Sequence, residues 1–412
     1  MDLEFTASEH AFREEARAWL AAHVPARPLP SLETAEGFAA HREWERVLYD
    51  GGWSVVSWPR AYGGRDATLT EWLIFEEEYY AAQAPGRVSQ NGINLLAPTL
   101  FAHGDEEQLA RVLPPMASGE TIWAQAWSEP EAGSDLASLR SRAERTERHG
   151  GGWLLSGQKT WSSRAAFADR AFGLFRTDRE QERHRGLSYL MFPLDAEGVT
   201  VRPIGRLDGK PAFAELFLDQ VFVPDADVIG EVGQGWRAAM STAGNERGVT
   251  LRSPGRFTAS ADRLIHLWRS RQEPADSRDR VADAWIRARA YQLAGYAAAS
   301  ADPAGSASGS GSRPGGSGTS VASADSSPGA GGTASPFASS MNKVFWSELD
   351  IDLHETALDL LGPGTSEVTE GLPESAWMDG WIFALAGPVY AGTNEIQRDI
   401  VAERVLGLPR GR

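Results

Sequence analysis

Three kinds of hydrophobic patterning follow one another along the 412-residue chain. Over residues 1–120 apolar side chains recur three and four positions apart, the spacing that places them on one face of a helix. Phe12, Ala16, Trp19 and Leu20 make a first stripe, Phe38, Trp44, Val47 and Leu48 a second, and Trp72, Leu73, Phe75 and Tyr79 a third. Thr6 and Glu9, ahead of the first stripe, have the spacing of a capping box. Pro and Gly in GWSVVSWPRAYGG (52–64) predict a connecting loop. From about 121 to 230 the runs are short and β-rich: Trp153–Leu155, Ala171–Arg176, Leu187–Pro193, Val199–Ile204 and Phe213–Val223. Helical spacing returns at Gly235, where Trp236, Met240, Ala243 and Arg247 read as one stripe. Helices, then strands, then helices predict an α+β chain rather than an alternating parallel sheet. The expected parts are an N-terminal helical domain (1–120), a central β-barrel (121–230) and a C-terminal helical bundle (231–412).

Within the third part, residues from about 301 to 338 are almost entirely Gly, Ser, Ala, Pro and Thr. So little apolar surface cannot offset the entropy of ordering, which predicts a disordered insertion. It separates two helical stretches, Arg280–Ala299 and Asn342–Leu361, whose facing ends are expected to lie close together.

Composition narrows the classes of function. The length exceeds what one core sustains, and 42% hydrophobic residues with 15 Trp and 16 Phe can fill several. A net charge of −16 argues against nucleic-acid or anionic-membrane partners, which call for a basic face. The absence of cysteine removes disulfides, thiolate metal sites and a cysteine nucleophile. The acidic start MDLEFTASEHAFREE lacks the layout of a secretory or transit peptide, and no apolar run approaches a membrane span. A soluble, cytoplasmic protein is expected.

The densest chemistry lies between Trp123 and Ser163: WAQAWSEPEAGSDLASL, a polar turn at HGGG (149–152), then WLLSGQKTWSS. Gln125, Ser128, Gly133, Ser134, Ser162 and Ser163 set small polar groups and bare backbone beside two indoles, Trp127 and Trp161. A flat redox-active ring needs that mixture, with apolar cover for its faces and a few donors for its polar edge. Other motifs fail on context. Ser156-Gly-Gln-Lys159 matches S-x-x-K but sits in a strand-like run, the eight His show no metal-ligand spacing, and no G-x-G-x-x-G or G-x-x-x-x-G-K occurs.

The stretch resembles the flavin-binding β-domain of the acyl-CoA dehydrogenase family, whose pattern is (T/S)EPxAGSD followed by GxKxW(I/S)(T/S). The C-terminal run VYAGTNEIQRDIVAERVLGLPR (389–410) resembles that family's closing Y-x-GT-x-EIQR signature. Similarity extends from FTASEHAFREEARAWL and WPRAYGG through EVGQGWRAAM to the end, and looks closest to the actinobacterial branch. It implies an acyl-CoA dehydrogenase-like fold holding FAD where the three parts meet. It also implies α,β-desaturation of an acyl-CoA, with electrons passed to an electron-transfer flavoprotein. Oxidation by oxygen, an acyl-carrier-protein substrate, and a non-catalytic place in a mixed assembly stay open. A homo-oligomer, dimer or tetramer, is expected, with a hetero-oligomer as the other possibility.

Residue by residue, the resemblance assigns Gln125, Trp127, Ser128, Gly133, Ser134, Trp161, Ser162, Ser163, Thr393 and Glu395 to the cofactor. Ser128 and Ser163 would bond the flavin edge, Trp161 would cover the ring, and Thr393 and Glu395 would reach its ribityl-pyrophosphate and adenosine parts. Ser134, Tyr390, Ala391 and Gly392 fall to the substrate, with the Ala391 N–H polarising the thioester carbonyl. Many members carry the catalytic base at the x of Y-x-GT, where this chain has Ala391. Members with a small residue there, isovaleryl-CoA dehydrogenase among them, take the base from a central helix just before an Arg. The matching residues are Glu246 and Arg247. The family's R-x-x-FG motif has no counterpart in 263–285. Asp359-Leu-Leu-Gly362-Pro-Gly364 stands where (Q/E)-x-(L/F)-GG is usual. The adenine-end contacts and the number of flavins per assembly therefore stay open.

Overall fold

A computed structural model describes residues 4–247, 252–272, 274–301, 336–363 and 375–409. Most of the low-complexity insertion (302–335), and Gly364, lie outside the described residues. The N-terminal part carries helices α1 (Ala7–His23), α2 (Ala35–Asp50), α3 (Leu69–Ala81), α4 (Ala97–His103) and α5 (Glu106–Ala117). A π-helical turn, Asn91–Leu96, leads into α4. The capping box at Thr6 forms: the Glu9 N–H donates to Thr6 Oγ1 at 3.2 Å, and the Thr6 N–H to Glu9 Oε2 at 2.7 Å. Ala16, Leu20, Trp44, Leu48, Trp72, Leu73, Phe75 and Tyr79 meet in one core. Val47 does not join it and is 38% exposed, because Leu48, four residues after Trp44, takes the inward position.

Strands β1 (Trp123–Ala126), β2 (Arg142–Thr146), β3 (Gly152–Ser163), β4 (Arg170–Arg176), β5 (Leu187–Pro193), β6 (Val199–Ile204), β7 (Phe213–Pro224) and β8 (Val228–Ile229) form one sheet. Its order is β6-β7-β3-β2-β4-β5-β8, with β1 parallel to β4. Alternation along β4 and β5 divides their side chains between two cores. Phe175, Leu190 and Phe192 point into a core shared with β1, β2, β3, β7 and β8, around which the sheet curls. Phe172, Leu174, Tyr189 and Met191 face the opposite way, onto α4, α5 and the π-helical turn. Both faces are buried, so these strands read as continuous apolar runs.

The third part holds α6 (Gly235–Arg247), α7 (Pro254–Ser270), α8 (Arg278–Ala301), α9 (Pro336–Leu361), α10 (Ser375–Ala384) and α11 (Asn394–Ile400). Ion pairs Arg280–Asp359 and Arg287–Asp352 set α8 antiparallel to α9, which brings the end of α8 beside the start of α9. In α6 the expected stripe is rotated. Met240 is 40% exposed, while Ala238, Ala239, Thr242 and Ala243 are buried. Small residues let this helix approach β5 and the π-helical turn closely, which the bulkier Met240 face would prevent. Glu246 continues the buried row of Ala239, Thr242 and Ala243 at helical spacing.

One carboxyl in the N-terminal part is held against its ordinary charge state. Burial pushes Glu76 up to about 7, against the opposing charge of Arg87 and a hydrogen bond with Ser253. In the unfolded chain it ionises near 4.5, so unfolding releases a proton between pH 4.5 and 7. Stability therefore falls as pH rises through that window, by on the order of 3 kcal/mol in all. Glu76→Gln should match the parent near pH 4.5 and gain on it steadily up to pH 7. Denaturant unfolding of both proteins across that range checks this, and a gap that does not change with pH contradicts it.

Candidate active site

The Ser128–Asp135 segment is a loop leaving β1, and its shape is set by two charged residues. Glu129 and Ala132 exchange main-chain hydrogen bonds at 3.0 and 3.1 Å, which folds the loop back on itself. The Glu129 carboxylate accepts from the N–H groups of Arg140 at 2.7 Å and Ser141 at 2.9 Å. It also accepts from Lys159 Nζ at 2.9 Å. Lys159, fully buried in β3, donates as well to the Leu174 carbonyl at 2.8 Å and the Trp127 carbonyl at 3.2 Å. Three acceptors for three ammonium hydrogens mark the charged form. Burial pulls the Lys159 ammonium below its ordinary value, against the attraction of Glu129. Burial alone would raise Glu129, but Lys159 and the Arg140 N–H hold it below the usual carboxylate range. The Thr160 N–H donates to the Ser128 carbonyl at 2.8 Å and completes the lacing of loop to strand. Gly157 makes this closeness possible: its φ is +147°, and a Cβ there would stand 2.2 Å from Ser141 Oγ.

The loop meets α6 through a buried polar chain. Trp127 Nε1 donates to Tyr189 Oη at 2.9 Å, Tyr189 Oη lies 3.4 Å from Thr242 Oγ1, and Thr242 shares a 2.6 Å hydrogen bond with Thr99. Glu246 is half-buried one helical turn beyond Thr242. Burial lifts the Tyr189 phenol far above its ordinary value, with Glu246 adding to the lift, so the tyrosine stays a neutral relay of hydrogen bonds. Trp127 and Glu246, 119 residues apart in sequence, are thus brought to one site. The Arg247 side chain and residues 248–251 lie outside what the structure describes.

The remaining expected residues divide by position. Trp161 sits at a bulge of β3 with φ +60°, 60% exposed, its ring edge-on to Phe213. Ala391 also has a positive φ, +58°, followed by Gly392 at +78°. Left-handed backbone at a non-glycine residue costs about 1–2 kcal/mol, and such strain gathers at functional sites. Ser128 and Ser163 are half-buried, while Gly133 and Ser134 are exposed. Ser162 has no exposed surface, and its hydroxyl is buried with no hydrogen-bond partner among the described residues. Tyr390 supports Ala391 from beneath: its hydroxyl accepts from Arg252 Nη2 at 2.8 Å and its ring stacks on Trp346. Thr393 caps α11 by accepting from the Ile396 N–H at 3.2 Å. Glu395 is exposed, its carboxyl held below the ordinary value by its own N–H and the Thr393 hydroxyl. Asp359, at the position of the altered Gly motif, is taken by Arg280.

Three features fit a flat ligand with a polar edge. Gln125 Nε2 is buried without a partner, a Cβ on Gly133 would meet nothing within 4 Å, and the Trp161 indole stands open. Glu129, Tyr189 and Thr242 were not singled out by the sequence reading, and Lys159 was noted there only within an S-x-x-K match. The visible signal was a lysine inside strand β3 and an acid in the loop after β1.

Family models for the acyl-CoA dehydrogenase N-terminal, middle and C-terminal domains match residues 6–120, 124–221 and 233–406. The chain is 36% identical over 411 residues to the acyl-CoA dehydrogenase IpdE1 of Mycobacterium tuberculosis, covering 97% of each protein. It is 32% identical over 388 residues to FadE34 of the same organism, spanning 93% of this chain and 49% of that one. Among solved structures it resembles the ChsE4-ChsE5 complex of M. tuberculosis, with TM-score 0.78, 27% identity, and 100% of both chains covered. The Tcur3481-Tcur3483 steroid ACAD also has TM-score 0.78, with 26% identity and 100% of both chains covered. With all three domains matched in order around a site built for a flat ring, the chain belongs to the acyl-CoA dehydrogenase family and is a flavin-dependent oxidoreductase acting on the CH–CH bond of an acyl-CoA.

Proposed function

We propose that the protein binds FAD without a covalent link and desaturates an acyl thioester between its α and β carbons. Bound FAD supplies the hydride acceptor, at flavin N5. Glu246 removes the proton from the α carbon, and a positioned base of this kind contributes about 10²–10⁴-fold. The Ala391 N–H, turned by the left-handed backbone, bonds the thioester carbonyl and makes the α proton more acidic. Gln125, Ser128 and Ser163 bond the polar edge of the ring, Trp161 covers its face, and Trp127 is held in place by Tyr189. Thr393 and Glu395 serve the phosphate and adenosine end. The observation that carries the reading is the chain from Trp127 through Tyr189 to Thr242, which links the ring-binding loop to α6 one helical turn before Glu246.

Electrons then pass to an electron-transfer flavoprotein, and the chain works in an oligomer. Two structural neighbours are described by paired names, ChsE4-ChsE5 and Tcur3481-Tcur3483, which supports assembly with a second chain of the same fold. The latter's description as a steroid ACAD supports a bulky acyl group. Recombinant protein should purify yellow or take up FAD, and an acyl-CoA substrate should bleach it. Folded protein that stays colourless in excess FAD contradicts the proposal. Rapid oxygen consumption with substrate would reassign it as an oxidase.

A further inference from the structure

A small cavity lies between α3, the π-helical turn and the loop before α3, with a volume of about 30 Å³. That is room for one or two water molecules, too little for a ring or a length of chain. Its lining combines the aromatic walls of Trp58 and Trp72 with polar side chains that include Glu76, Tyr80, Gln90 and Asn94. The π-helical turn that supplies Gln90's neighbour Asn94 also packs against α6 and β1, the elements carrying Glu246 and Gln125. On the opposite side Glu76 is hydrogen-bonded to Ser253 at the start of α7. Arg252, next in the chain, donates to Tyr390, which precedes Ala391. The elements around the cavity thus touch, on two sides, the elements that carry Glu246 and Ala391.

We propose that this cavity seats a hydroxyl or carbonyl oxygen borne by the acyl group, so that the protein selects oxygen-bearing acyl thioesters over plain hydrocarbon ones. This rests on the acyl thioester reading above and specifies its substrate class. The polar lining is arranged to donate and to accept. Arg87, which also lines the cavity, is committed to Glu45 at 2.7 Å and to the Ser54 carbonyl at 2.9 Å, so it does not claim Glu76 as a salt bridge. Burial keeps a proton on the Glu76 carboxyl up to about pH 7, and burial together with Glu76 raises the Tyr80 phenol to about 12. Below about pH 7 both are then donors, and the Gln90 and Asn94 amides can donate or accept. A methyl group in their midst would leave these half-buried polar groups short of partners, and sites built to bond an oxygen reject the analogue that lacks it.

The test measures binding by calorimetry with the flavin-loaded protein, so turnover is not required. The probes are straight-chain acyl-CoA thioesters of four to twelve carbons, each in plain, terminal-hydroxyl and terminal methyl-ketone form. At one chain length the oxygen-bearing form should bind at least ~10-fold tighter than the plain one. Glu76→Leu should cut that ratio to ~2-fold or less, Glu76→Gln, which still donates, should retain most of it, and Asn94→Leu gives a second reduction. The proposal is overturned if no chain length shows a ratio above ~3-fold, or if folded Glu76→Leu and Asn94→Leu keep the parent ratio, as a mere structural water site would. Should plain thioesters bind and bleach the flavin while no ratio appears, only the cavity's role is lost. Protein that takes up no flavin, or binds none of the thioesters, loses both readings.

Discussion

Glu246→Gln should retain its flavin and lose at least ~10²-fold in the rate of substrate-driven bleaching, the low end for removing a general base. The substitution keeps the side chain's length and hydrogen-bonding reach and removes its basicity. Because Glu246 extends the row of Ala239, Thr242 and Ala243, the variant leaves the packing of α6 on β5 undisturbed. The Trp127–Tyr189–Thr242 chain, one turn earlier, contains no atom of Glu246 and should survive intact. Flavin content and unfolding temperature therefore serve as controls that a purely structural residue would move. Ala391→Glu in the Glu246→Gln background should restore part of the lost rate. It places a carboxylate where other family members keep theirs, at a backbone position already left-handed. Near-normal bleaching by Glu246→Gln would assign proton removal to another group.

Lys159→Met should cost about 3–5 kcal/mol of stability and strip the protein of flavin. Methionine fills the space but leaves the Glu129 carboxylate buried, with the ammonium that contacts it gone. The Leu174 and Trp127 carbonyls lose their donor at the same time. Since the Glu129 carboxylate bonds the N–H groups of Arg140 and Ser141, the whole loop from Ser128 to Arg140 is released. Pairing the change with Glu129→Leu removes the stranded charge and should recover part of the stability. It should not recover flavin binding, because only the Thr160–Ser128 main-chain bond then laces the start of the loop to β3 while its far end loses the Glu129 anchor. Calorimetric unfolding and the flavin-to-protein absorbance ratio separate the two effects. A loss under about 1 kcal/mol with flavin retained would show that the pair does not shape the site.

Local patterning determined much of this protein by itself. The capping box at Thr6, the helical stripes and the run Leu187–Pro193 reappear as elements because their causes are local: side-chain period, capping groups and Gly turns. Likewise Ser128, Trp161 and the Ala391-Gly392 pair could be singled out because motif spacing is a property of neighbours in sequence. The rotation of α6 could not be read this way. Met240 is the more hydrophobic residue, yet Ala239 and Thr242 face inward, since the approach of β5 and the π-helical turn leaves space only for small side chains. That rotation is what carries Glu246 inward. The Glu129–Lys159 pair joins residues 30 apart and the Trp127–Tyr189 bond residues 62 apart, and both depend on how β3, β4 and β5 stack in the sheet. Burial of charge is decided there too. Glu76 and Glu129 are the same residue type, but one is lifted to about 7 by burial while the other is held low by a lysine and main-chain donors. Solvent exclusion and the placing of distant partners are properties of the packed molecule, and no window of sequence contains them.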